Sequence, residues 1–299
     1  MPAKQPAKQP ADGRLAVRKT YKLFIGGKFP RSESGRSYAV TTPRGAFLAN
    51  AAQGSRKDVR DAVVAARKAF AGWSGATAYN RGQVLYRVAE MLEGRRAQFV
   101  EEVSAAEGVT ARTAESTVDS AIDRWVWYAG WTDKIAQISG SSNPVAGPYF
   151  NFSLPEPTGV VAILAPQKSA LLGLVSVLAP AIAGGNTVVA VASQDRPLPA
   201  GTLAEVLATS DLPGGVVNLL SGHTAELSPW LAGHMDVNAI DLTGVRTADR
   251  AELRRLAADN VKRVFGGPDG AEPDWTAGPG TARLTAYLET KTVWHPVGI

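Results

Sequence analysis

Apolar residues recur in steps of three and four along the first half of the chain. Val59, Ala62, Val63, Ala66, Phe70 and Trp73 repeat this way over 58–73 and predict an amphipathic helix. Val84, Leu85, Val88, Met91, Leu92, Phe99 and Val103 carry the same period over 80–105. A third helical stretch covers 111–137, where Trp125, Val126, Trp127, Trp131 and Ile135 make the apolar content heavy, as a core or a subunit interface requires. Ahead of these helices, Lys22–Lys28 (KLFIGGK) reads as a strand running into a Gly-Gly turn. Residues 139–148 (SGSSNPVAGP) end the helical part with Gly, Ser, Asn and Pro.

From residue 158 the pattern changes. Gly159–Ala165, Thr187–Ala192, Val216–Leu220, Val237–Leu242 and Val261–Phe265 are short, largely apolar runs, as strands buried on both faces should be. Helical stretches at Ser169–Ala183, Pro199–Thr209, Ala225–Gly233 and Ala248–Ala258 alternate with them. This alternation implies right-handed crossovers and predicts an α/β fold: a doubly wound, five-stranded parallel Rossmann-like sheet preceded by N-terminal helices. Such sheets bind ligands outside the carboxyl ends of their strands, here in the loops 165–169, 192–198, 221–224 and 243–247. After Gly266-Gly267 the pattern stops. Residues 268–280 (PDGAEPDWTAGPG) are a linker by composition, and 283–294 (RLTAYLETKTVW) predict a helical turn and a short strand that must dock on the body or on another chain.

The 299 residues are 45% hydrophobic and 20% charged, enough for a real core and too apolar for wholesale disorder. No uncharged apolar run reaches membrane-spanning length, so no membrane partner is expected, and the start MPAKQPAKQPADGR lacks the apolar core of a secretory signal, so a cytoplasmic location is expected. The net charge is +5, but Lys4, Lys8, Arg14, Arg18 and Lys19 against Asp12 place +4 of it in residues 1–20. That segment, with its repeated PAKQ, is expected to be a disordered basic tail on a nearly neutral body, which argues against a nucleic-acid partner.

There is no cysteine, which excludes disulfides, thiolate metal sites and a Cys nucleophile. No GxGxxG follows a strand, and neither a P-loop nor a GxSxG elbow occurs. His223, His234 and His295 lie far apart, so no metal site is expected. Glu101, Glu102 and Asp241 show no spacing that suggests paired acid–base work. The residues alone describe an α/β domain without a visible site.

The order of segments says more. The succession GVV, AP, LLGLVSVLAPAIAGGNTVV, PLPAGTLAEVL, LPGGVVNLLSG and HMDVNAIDLTG resembles the cofactor-binding domain of the NAD(P)-dependent aldehyde dehydrogenase superfamily. Upstream, KLFIGGKF, SGRSYAVTTP and DVRDAVVAARKAFAGW resemble that family's N-terminal region, and NVKRV at 260–264 resembles the strand before its catalytic domain. The segment LTAYLETKTVWH resembles the family's last strand, which joins an oligomerisation sheet with an arm that would be about 143–157 here. The resemblance therefore implies an aldehyde dehydrogenase-like body at 21–267 and a linker at 268–280 in place of the catalytic domain. A C-terminal oligomerisation strand would follow within 281–299.

The resemblance also implies what is missing. The family's Cys nucleophile and Glu general base belong to the absent domain, so no catalytic residue is expected. The family's Pro-Trp-Asn-Phe-Pro motif reads Pro166-Gln167-Lys168-Ser169-Ala170, which puts Lys168 where an Asn would help hold the oxyanion. Val191 and Gln194 stand where a Lys and a Glu would hold the ribose, and Thr243-Gly244-Val245 stands for Thr-Gly-Ser. Ala165, Pro166, Gln167, Lys168, Val191, Gln194, Thr243, Gly244 and Val245 are thus degenerate cofactor positions, and NAD is expected to bind weakly at best. The function implied is a non-catalytic structural or regulatory subunit, assembling with a full-length NAD-dependent aldehyde dehydrogenase or with itself. The alternative is an NAD(P)-binding oxidoreductase acting on aldehydes with a partner's catalytic domain.

Overall fold

In the computed structural model residues 19–266 and 271–298 are described; all but the last two residues of the expected basic tail lie outside them. Strands β1 (Thr20–Tyr21), β2 (Ser37–Thr41) and β3 (Phe47–Ala52) form a small sheet in the order β1-β3-β2. Between β1 and β2, Gly26 and Gly27 take φ of 60° and 78° and close a tight turn from Ile25 to Lys28. Positive φ at both central residues is what a two-residue turn of this hand needs. KLFIGGK is therefore a turn whose Phe24 makes a single bridge to Leu219, not a strand in a ladder.

Helix α1 (Arg56–Ser74) starts at a capping box, in which Ser55 and Asp58 each satisfy the other's backbone N–H. The stretch expected as one helix over 80–105 is two, α2 (Ala78–Glu93) and α3 (Arg96–Glu107), parted at Gly94 and Arg95. The stretch 111–137 likewise divides at Gly130 into α4 (Ala111–Ala129) and α5 (Ile135–Ser139). Trp125 is fully buried, while Trp127 and Trp131 pack partly buried against the same core. Strands β4 (Ser141–Asn143) and β5 (Tyr149–Pro157) follow.

The second half holds the doubly wound unit: β6 (Val160–Leu164), α6 (Leu172–Ala183), β7 (Thr187–Val191), α7 (Leu198–Ala208), β8 (Val217–Leu220), α8 (Thr224–Ala232), β9 (Ala239–Asp241), α9 (Thr247–Ala258) and β10 (Arg263–Phe265). The five strands are parallel in the order β10-β9-β6-β7-β8, as the alternation of elements predicts. One face of the sheet packs on the apolar cluster of α2, α3, α4, α6 and α7, the other on that of α1, α8 and α9. Every residue of β6, β7 and α6 is buried. A helix apolar all round belongs inside a protein, and α6 lies between the sheet and α4.

The C-terminal segment folds back on the body. After α10 (Ala282–Ala286), strand β11 (Leu288–Pro296) pairs antiparallel with β5 from Leu288 opposite Pro157 to Pro296 opposite Tyr149. The resulting sheet has the order β11-β5-β4. The expected short strand is thus nine residues long. Among the described residues no helix is long and apolar enough to cross a membrane.

Candidate functional site

Loops at the carboxyl ends of β6, β7, β8 and β9 enclose a cavity of about 500 Å³, with Gln167, Gln194, His223, Thr224, Gly244 and Val245 in its wall. Gly244 comes so close to β6 that a Cβ there would lie 1.8 Å from the carbonyl oxygen of Ala165, so only glycine fits. Its N–H donates to Leu164 O at 2.9 Å.

Two glutamines tie the loops together. Gln167 Nε2 donates to Ala165 O at 2.7 Å, and Gln167 Oε1 accepts the Gln194 N–H at 2.9 Å. Gln194 Oε1 then accepts the N–H of Thr224 at 3.3 Å, at the start of α8, and Gln194 O accepts the Tyr38 hydroxyl at 3.0 Å. The side chains at 167 and 194 are therefore engaged with the protein's own backbone. Val191 is fully buried in the apolar cluster of α1, α8 and α9 and does not line the cavity. Ala165 and Pro166 are buried and Lys168 is exposed, and none of the three lines it. Thr243 faces a different cavity. Of the nine expected positions, the structure brings Gln167, Gln194, Gly244 and Val245 to one wall.

The loop after β6 has backbone donors that could serve an anion, as N–H groups at the start of a helix do. Carboxylates of the chain occupy them. Glu272 Oε1 accepts from the N–H groups of Gln167 at 2.5 Å and Lys168 at 3.0 Å. Glu107 Oε1 accepts from Ala170 N–H at 2.7 Å. Burial pushes the Glu107 carboxyl above its ordinary value, the Ala170 N–H pulls it back, and the charge of Glu272 adds to the rise.

The second cavity, about 470 Å³, lies among α4, α6 and the residues that lead into α10, with Arg124, Tyr128, Thr243, Phe265, Trp275 and Arg283 in its wall. Beside it Asp241, at the end of β9, is fully buried. Its carboxylate pairs with Arg283 and accepts the Tyr287 hydroxyl at 2.9 Å and the Thr243 N–H at 2.8 Å. The Arg283 guanidinium also donates to Thr243 Oγ1 at 2.9 Å and sits 4.4 Å from the ring centre of Phe265. Burial and, second, the charge of Asp241 hold the Tyr287 phenol well above its ordinary value. Sequence reasoning missed this cluster: Asp241 has no charged neighbour along β9, and its partners stand beyond the linker. The one available signal was an acid ending an apolar run.

The sequence model of the aldehyde dehydrogenase family matches residues 29–270. The chain belongs to the aldehyde dehydrogenase family. It is 34% identical over 263 residues to mouse cytosolic 10-formyltetrahydrofolate dehydrogenase, a match covering 84% of this chain and 28% of that protein. It is also 34% identical to the mitochondrial aldehyde dehydrogenase family 2 member B4 of Arabidopsis thaliana, covering 81% of this chain and 45% of that one. Among solved structures, HpcC from Thermus thermophilus superposes with a TM-score of 0.79 at 32% identity, over 83% of this chain and 48% of that one. The NAD+ complex of an aldehyde dehydrogenase from Bacillus cereus gives 0.78 at 27%, over 83% and 51%. The chain spans about half, or less, of the length of these relatives.

Proposed function

We propose that this chain is a non-catalytic structural or regulatory subunit that assembles with a full-length NAD-dependent aldehyde dehydrogenase or with a second copy of itself. The observation that carries this reading is the passage from β10 to α10. Residues 268–280 stand where the resemblance calls for a catalytic domain, and Glu272 within them occupies the Gln167 and Lys168 N–H groups. With no cysteine anywhere in the sequence, no thiol is available to form a covalent adduct with an aldehyde.

The residues at the crevice do not fit a tightly held dinucleotide. The Val191 side chain has no polar atom, and the side chains of Gln167 and Gln194 are committed to Ala165, Gln194 and Thr224. Gly244 preserves the close approach of its loop, so the cavity remains and weak NAD binding is compatible with it. That open cavity is what favours the second reading, an NAD(P)-binding oxidoreductase acting on aldehydes with a partner's catalytic domain.

Assembly is supported by the β11-β5-β4 sheet. Its β11 edge is unpaired among the described residues, and Tyr149, Phe150 and Trp294 around it are 46%, 52% and 59% exposed. Open strand edges and exposed apolar patches mark interfaces. The test is native capture of the tagged chain from its host. Recovery of a full-length aldehyde dehydrogenase in stoichiometric amount, or of a homo-oligomer, is expected; a lone monomer overturns the proposal. Calorimetric titration of that material with NAD and NADP separates the two readings, since the second requires heat of binding below about 1 mM cofactor.

A further inference from the structure

Arg124 is the anomaly of this molecule. It projects from α4, is only 7% exposed, and has no carboxylate among its partners in the described residues. Its Nη1 donates to Ser176 Oγ at 2.8 Å, and its Nη2 donates to the carbonyls of Trp275 at 3.0 Å and Ala277 at 2.9 Å. All three acceptors are neutral. Its Nε is buried with no partner among the described residues. A guanidinium has five N–H donors, so two remain unused here. Burying a cation without an anion is costly, because desolvation is not repaid by Coulomb attraction. Arg283 makes the contrast: at the same cavity, it has Asp241.

We propose that the cavity among α4, α6 and residues 271–283 binds a small organic carboxylate, for which Arg124 supplies the counter-charge. With both Nη2 N–H groups committed and Nε closed off from the cavity, a carboxylate would meet the guanidinium through its charge and the remaining Nη1 N–H, and hydrogen bonds assisted by charge in this way are the strong ones. At about 470 Å³ the cavity has the size of a small-molecule site. Its walls select a flat or apolar body, since Trp275, Phe265 and Tyr128 line it. Aromatic faces of this kind hold a ring by offset or edge contact. The wall holds two further guanidinium groups, and Arg250 is engaged with the carbonyls of Val245 at 3.0 Å and Thr243 at 3.1 Å. Arg283 is neutralised by Asp241, and its guanidinium lies 5.5 Å from the Trp275 ring centre. The Asp274 carboxylate accepts from Thr276 N at 2.9 Å and Thr276 Oγ1 at 2.6 Å.

The site is separate from the Gln167–Gln194 cavity and independent of whether the chain assembles with a dehydrogenase. A purely structural role for Arg124, clamping the Trp275 and Ala277 carbonyls, predicts no ligand at all.

The test is calorimetric titration of the full chain with benzoate and with its neutral counterpart benzyl alcohol, followed by the indole N–H signal of Trp275. Benzoate is expected to bind with a Kd of about 1 mM or tighter and to shift that signal, and benzyl alcohol to bind at least about tenfold more weakly. Arg124→Met is expected to weaken benzoate about tenfold or more. The comparison of the two probes on the unaltered chain decides the matter should that variant not fold. No benzoate binding up to about 10 mM, equal binding of benzyl alcohol, or a folded Arg124→Met with undiminished affinity each overturns the proposal.

Discussion

Strands β6 and β7 and helix α6 are buried throughout, and their only polar side chains are Thr187 and Ser176. Residues 271–298 dock on the body through Leu284, Tyr287 and Leu288, which join its apolar cluster, and in addition through a set of polar groups. Arg283 and Tyr287 reach the Asp241 carboxylate, Arg124 reaches two carbonyls, and Glu272 reaches two backbone N–H groups. The buried amide of Asn186 adds a bond from its Nδ2 to Tyr287 O at 3.0 Å. The two regions therefore obey different rules. In the sheet, shape and volume set stability, and each side chain contributes by the apolar area it hides. In the docked segment the groups matter in pairs, because a buried polar group costs most when its partner is gone.

The sharpest way to separate these rules is Arg283→Met. It leaves the fully buried Asp241 without its cation, and breaking a buried pair in this way costs about 3–5 kcal/mol. Urea unfolding should show that loss. The double variant Arg283→Met with Asp241→Asn should be more stable than the single one, since the stranded charge is removed as well. A double variant as unstable as the single would mean that the segment is held by packing, and the contrast would fail.

The matching experiment in the sheet region is Leu178→Ala. Leu178 is fully buried in α6, and truncation there leaves a cavity costing about 3 kcal/mol, within the usual range of about 2–5. Here no second truncation should restore what was lost. Removing a further apolar neighbour enlarges the void, so the two losses should accumulate when measured by the same unfolding transition.

The same contrast explains how much of the molecule could be read from its sequence. The five strands and their crossovers were legible because burial on both faces writes itself as unbroken apolar runs, as in Val160–Leu164 and Thr187–Val191. The breaks at Gly94 and Gly130 were not. Both residues keep right-handed helical φ, −61° and −68°, so the apolar period runs on across a change of helix axis. Strands β2 and β3 went unread because each is short and partly exposed. At the crevice, positions 167 and 194 stood out by resemblance, but nothing along the chain indicated that they bond to each other and to α8. The Asp241–Arg283 pair spans 42 residues with a linker between, so no local spacing records it.

The smallest effect concerns the leading end of the docked segment. Glu272→Ala removes the acceptor shared by the N–H groups of Gln167 and Lys168, and with it the Trp275 Nε1–H contact at 3.4 Å. Lys168 is exposed and Gln167 half-buried, so water can replace the lost carboxylate, and global stability should fall by only about 1 kcal/mol. The local consequence should be larger than the global one. Amide exchange at 167 and 168 should quicken, while exchange in β6 and β7 stays at the rate of global unfolding. That pattern would make residues 271–280 a unit that opens on its own over a sheet that does not. Uniform quickening through β6 would instead join the two regions into one cooperative structure, and the difference between apolar body and polar-docked segment would be one of chemistry only.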